Sequence, residues 1–100
     1  MSETTTTTRR KTTVNIAMPG RFKVVVYNDS VTPMEFVVLL LTTIFKHAEQ
    51  AATDLMFSIH TDGSAIVGIY PYEIAEQKAI DATRLSRSEN YPLVIKVETE

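Results

Sequence analysis

The chain of 100 residues has no cysteine and no tryptophan, only three glycines and four prolines, and no long apolar run. Without cysteine there is no disulfide framework, no thiolate zinc site and no cysteine nucleophile. The expected setting is a reducing compartment, most simply the cytoplasm. The longest apolar run, Phe36 to Leu41, has six residues, whereas a membrane span needs about 20, so no membrane association is expected. A domain this small buries roughly 60–65% of its unfolded surface, which provides one core and no deep internal cavity. Any site is expected in a surface groove.

Charge of one sign is also missing where a nucleic-acid binder would need it. The formal net charge is −2, but the first twenty residues carry Arg9, Arg10 and Lys11 against Glu3, so the remainder holds seven basic and eleven acidic side chains. Phosphate binding needs a basic face, and the one basic cluster here is a three-residue knot in a leader. Nucleic acid is therefore not expected as a partner.

Residues 1–20 include seven threonines among the first thirteen positions and show no apolar period. Nothing there offsets the entropy of ordering, so a disordered N-terminal extension is expected, ending at Pro19-Gly20, with a folded core over 21–100. The extension has no apolar segment after its basic residues, unlike a signal peptide.

The core opens with Phe22-Lys-Val-Val-Val-Tyr27, a β-branched and aromatic strand closed by Asn28-Asp29-Ser30. A helix start follows: Thr32 as cap, Pro33 at the first helical position and Glu35 completing a capping box. Phe36, Val37, Leu40, Leu41, Ile44 and Phe45 keep helical spacing to about Lys46. A second helix is expected from His47 or Ala48 to His60, with Ala51, Leu55, Met56 and Ile59 on one face. Thr61 to Ser64 reads as a turn and Ala65 to Tyr70 as a strand. Pro71 opens a third helix, Tyr72 to about Ser88, burying Ala75, Ala79, Ala82 and Leu85, and Leu93 to Val97 is a last strand. The order β-α-α-β-α-β points to an α+β sandwich, a small sheet with its helices on one face.

Most of the chemistry lies in Tyr27-Asn28-Asp29-Ser30-Val31-Thr32-Pro33-Met34-Glu35-Phe36. On spacing alone, turn-and-cap chemistry explains Asn-Asp before Thr-Pro equally well. Two features add to it. Met34 falls in a first helical turn, where a flexible thioether suits a groove better than a core. His60 stands one helical turn after Met56 on the same face. No metal or cofactor is expected, since two histidines thirteen positions apart do not form a ligand pair. Catalysis is not expected either: His60, Asp29 and Ser30 could be drawn as a triad, but no Gly-x-Ser-x-Gly elbow accompanies them.

Taken together, Asn28-Asp29, Thr32-Pro33-Met34-Glu35-Phe36, Leu55-Met56, His60, Gly63-x-Ala65-Ile66-x-Gly68, Glu73-x-Ala75-Glu76-x-Lys78 and Pro92-Leu93 resemble the ClpS adaptors. These deliver N-degron substrates to Clp AAA+ proteases. The resemblance runs from Arg21 to about Val97. It implies the ClpS-like sandwich, shared with the C-terminal domain of the ribosomal stalk protein, with a three-stranded antiparallel sheet.

It further implies that Asn28, Asp29 and His60 hold the α-amino group of a substrate's first residue. Val26, Thr32, Met34, Val37, Met56, Ile59 and Leu93 would line the pocket for its side chain, with Met34 as gate. An α-amino group is mainly protonated near neutral pH and needs acceptors, which an amide oxygen, a carboxylate and a neutral imidazole supply. Expected cargo is Phe, Leu, Tyr or Trp at the amino terminus. Glu73 and Lys78, near Tyr70 and Tyr72, would dock a ClpA- or ClpC-type unfoldase, and the extension would serve hand-over, with the adaptor a monomer when free. Two departures from the family bear on specificity. Ser30 and Val31 replace an acid and a frequent tyrosine, weakening the hold on the amine, while Tyr27 and Ile59 replace smaller aliphatics, narrowing the pocket. The alternative is an interaction scaffold of the same fold without a pocket.

Overall fold

The computed structural model describes residues 20–100. Apart from Gly20, the expected extension lies outside the described residues. Strand β1 (Phe22–Tyr27) is central. It pairs antiparallel with β2 (Ser64–Tyr70) on one side and β3 (Val94–Thr99) on the other, giving the order β2-β1-β3. Alternation sends Phe22, Val24 and Val26 into the core, where Val24 and Val26 are fully buried. The sheet carries helices α1 (Met34–Thr43), α2 (Glu49–Asp62) and α3 (Tyr72–Ser88), in the expected order.

The register of β1 against β2 slips between Val24 and Val25, because Val24 pairs with Gly68 and Val25 with Ile66. Val67 is the extra residue of this bulge; its side chain is 2% exposed, and its carbonyl lies 2.6 Å from His47 Nε2. The connection after α1 is thereby fastened to the irregular point of the sheet. Gly68 is required nearby: a Cβ there would collide with the ring of Tyr70.

Helix α1 buries Phe36, Val37, Leu40 and Leu41. It ends at Thr43, three residues before the expected Lys46, which instead takes a left-handed φ of 62° in the turn to α2. Phe45 stays buried beyond the helix end. The expected capping box does not form. Pro33, which has no side-chain acceptor, occupies the cap position in extended conformation, so Thr32 stands one residue too early to cap, and its hydroxyl donates to the Asp29 carboxylate.

Helix α2 continues two residues past His60 to Asp62, where Gly63 at φ 93° closes it in the left-handed conformation that glycine adopts freely. Its buried positions are Ala52, Met56 and Ile59; Ala51, expected inside, is exposed. On α3 the buried stripe is Ala75, Ala79, Ala82 and Ser86, one position beyond the expected Leu85, which is only partly covered. Small side chains let this helix lie close to the sheet, and Ser86 is tolerated inside because its hydroxyl donates to the Ala82 carbonyl at 2.8 Å. Leu40, Leu41, Ile59 and Leu93, all fully or almost fully buried, each contribute roughly 1.5–3 kcal/mol by burial.

Candidate functional site

The carboxyl end of β1 and the carboxyl end of α2 meet. The backbone N–H of Asn28 donates to the Gly63 carbonyl at 2.9 Å, tying the loop after β1 to the turn after α2. This single bond brings Asn28 and Asp29 beside His60, more than thirty positions away in the chain.

Between them opens a cleft of about 400 Å³ lined by residues 28–34, Val37, Met56, Ile59 and His60. Its lining is of two kinds. One is polar, the Asn28 amide, the Asp29 carboxylate and the His60 imidazole, with Asn28 and His60 exposed. The other is apolar, Met34, 39% exposed, together with Val37, Met56 and Ile59, which are nearly buried.

Asp29 organises the loop that holds it. Its Oδ1 accepts the backbone N–H of Val31 at 2.8 Å and of Thr32 at 2.7 Å, and its Oδ2 accepts the Thr32 hydroxyl at 2.8 Å. Partial burial on its own would raise the Asp29 pKa, but the bonds from Thr32 and Val31 and the positive charge of Arg87 outweigh it. The carboxyl therefore titrates below its ordinary value and is ionised at neutral pH.

Of the residues expected in the site, Asn28, Asp29, His60, Thr32, Met34, Val37, Met56 and Ile59 share this cleft. Val26 and Leu93 do not line it. At 0% and 1% exposure they belong to the core cluster that also holds Val37, Met56 and Ile59. Tyr27 also departs from expectation. It alternates with Val26 and so lies on the opposite sheet face, where its hydroxyl donates to Glu98 and the Lys96 ammonium stands 5.5 Å from its ring centre. It cannot narrow the cleft. The Glu98 bond, with some burial and the charge of Glu98, raises its pKa.

Glu73 is exposed in the first turn of α3. Lys78 is half-buried and occupied: its ammonium donates to the Ile44 carbonyl at 2.9 Å, just past α1, and lies 5.5 Å from the centre of the Tyr70 ring. The Tyr70 hydroxyl is pushed up by burial, and that of Tyr72 by the charge of Glu76 and a bond to it. Among the described residues no group of three or more metal-binding side chains occurs, and no helix is long and apolar enough to cross a membrane.

Residues 17–96 match the family described as ATP-dependent Clp protease adaptor protein ClpS. Curated relatives include the ATP-dependent Clp protease adapter protein ClpS of Shewanella pealeana, 41% identical over 83 residues, which are 83% of this chain and 81% of that protein. The ClpS of Shewanella halifaxensis is 42% identical over 80 residues, 80% and 78% of the two chains. Among solved structures, Agrobacterium tumefaciens ClpS2 bound to L-phenylalaninamide superposes with a TM-score of 0.80 at 37% identity, covering 83% of this chain and all of that one.

Proposed function

The chain belongs to the ClpS family of ATP-dependent Clp protease adaptors, and on that premise we propose that it captures proteins by a free amino terminus and a large apolar first side chain. It then delivers them to a Clp AAA+ unfoldase. It is an adaptor of a protease and not itself an enzyme.

The observation that carries this reading is the mixed lining of the cleft. Asn28, Asp29 and His60 offer acceptors to an ammonium group, and Met34, Val37, Met56 and Ile59 offer an apolar surface in the same cleft. Phenylalaninamide, bound by the Agrobacterium relative, has that pair of features. Burying a Phe or Leu side chain contributes about 1.5–3 kcal/mol, and each bond to a charged group about 1.5–3 kcal/mol. After the entropic cost of association, affinities on the order of micromolar follow, which suits a carrier that must release cargo. Charged first residues are rejected by desolvation.

With Tyr27 on the far face of the sheet, any narrowing of specificity rests on Ile59. The missing acid at Ser30 weakens the hold on the amine. Docking to a ClpA- or ClpC-type unfoldase uses the exposed start of α3 around Glu73, beside Lys78. The adaptor acts in the cytoplasm as a monomer when free of its unfoldase.

Fluorescence anisotropy with labelled peptides that differ only at the first residue tests the reading. Phe-, Leu-, Tyr- and Trp-initiated peptides are expected to bind, and their acetylated or Met-initiated counterparts to bind at least tenfold more weakly. Equal binding by free and acetylated peptides would refute it.

A further inference from the structure

The segment joining α3 to β3 packs against the first turn of α1 through Tyr91, and Arg87 holds it. Asn90 turns the chain with a left-handed φ of 65°, and the N–H of Tyr91 returns to the Ser86 carbonyl at 2.9 Å. Arg87 Nη1 donates to the carbonyls of Tyr91 and Leu93, both at 2.9 Å. The Tyr91 ring meets Phe36 edge-on with centres 4.9 Å apart, and Phe36 sits in the first turn of α1 between the cleft residues Met34 and Val37. Leu93, the other residue held, is buried in the core beside Val37, Met56 and Ile59.

We propose that Arg87 is a positioning residue for the cleft, holding the 91–93 segment so that Tyr91 stays packed on Phe36 at the start of α1. The proposal rests on the reading of the cleft given above. A cation in the last turn of a helix is also favoured simply by the helix dipole and by free carbonyls. That role would be confined to α3. Here the guanidinium reaches carbonyls four and six residues on, outside the helix. Its positive charge is a minor contribution to the lowered Asp29 pKa, behind the bonds from Thr32 and Val31. Besides Asp29, the cleft lining holds one titratable side chain, His60 from α2, while α1 contributes Met34 and Val37.

The test follows the Asp29 side-chain carboxyl by carbon NMR across an acid titration, alongside anisotropy with a Phe-initiated peptide at pH 7. Arg87→Met is expected to move the Asp29 midpoint upward and to weaken the peptide about tenfold, the equivalent of one bond from a charged donor. Arg87→Lys keeps the charge and is expected to return the Asp29 midpoint to its wild-type position. Repeating the titration in a His60→Gln background removes any contribution from the imidazole. If Arg87→Met does not fold, Arg87→Gln, which keeps a donor and drops the charge, takes its place with the same Asp29 readout. Unchanged peptide affinity in a folded Arg87 variant, whatever the Asp29 midpoint does, would overturn the role of Arg87 alone. Wild-type protein that ignores Phe-initiated peptides would overturn the function of the cleft, and the positioning role with it.

Discussion

Replacing Asp29 with Asn separates the two things its carboxylate does. The Asn amide oxygen can still accept the N–H groups of Val31 and Thr32, now 2.8 and 2.7 Å from Oδ1, but the negative charge is gone and the Thr32 hydroxyl must turn from donor to acceptor. Each bond to a charged acceptor contributes about 1.5–3 kcal/mol against about 0.5–1.5 for a neutral one. Three such bonds on a partly solvated loop put the cost of Asp29→Asn at about 1–2 kcal/mol. In a fold of this size that lowers Tm by roughly 5–10 °C. Asp29→Ala, which loses all three bonds, costs more.

The pH dependence has a definite sign. The folded-state pKa of Asp29 lies below its ordinary value, so its contribution to stability is complete above the unfolded value of about 3.9 and is lost as pH falls through the folded value. Urea unfolding of wild type and Asp29→Asn between pH 3 and 8 is expected to show a constant gap down to about pH 5 that closes below about pH 4. A gap that persists undiminished at the acid end would mean the substitution acts through shape, and the charge argument would be wrong. The same variant is expected to bind Phe-initiated peptides about tenfold or more weakly through loss of the ammonium's countercharge.

Four further substitutions test other parts of the description. Met56, 7% exposed, and Met34, 39% exposed, are expected to part company in thermal melts: Met56→Ala loses about 2–3 kcal/mol and Met34→Ala less than about 0.5. Equal losses would place Met34 in the core. Tyr27→Phe is expected to leave peptide affinity unchanged, because its ring lies on the face away from the cleft; a change of threefold or more would contradict that placement. Lys78→Met removes the bond to the Ile44 carbonyl and the contact with Tyr70, and is expected to cost about 1–2 kcal/mol in urea unfolding. Undiminished stability would show that its ammonium is free for other partners.

The fold was readable because three β-branched runs and three helical periods lie between clear breakers, and Pro71, Gly63 and Asn90 do mark chain reversals. What escaped was placement within and between these elements. Thr32 followed by Glu35 has the pattern of a capping box, yet the helix starts one residue later, with Pro33 at the cap, and Thr32 joins the loop held by Asp29; the spacing Asp-x-x-Thr-Pro carried that signal as an Asx-type turn. Ala51 and Ala52 are chemically identical, so only the actual pitch of α2 decides which is buried. The expected site residues came from the family resemblance and not from periodicity, and of them Val26 and Leu93 lie in the core and outside the cleft lining; strand alternation gives the face of a residue but not its depth. Tyr27, by the same alternation, belonged on the far face, and the pairing that proves it became visible only with the sheet. Arg87 gave no signal at all, since its partners are backbone carbonyls of residues it does not resemble.

Among the described residues β1 is the one strand paired on both sides, and the loop bearing Asn28 and Asp29 grows directly from its end. Amides of such a central strand are released only by global unfolding, whereas those of β2 and β3 can fray from the edges. The loop of the proposed site therefore hangs from the last part of the molecule to come apart. If the chain delivers cargo to an unfolding machine as proposed, its reading head would stay formed until the whole domain gives way.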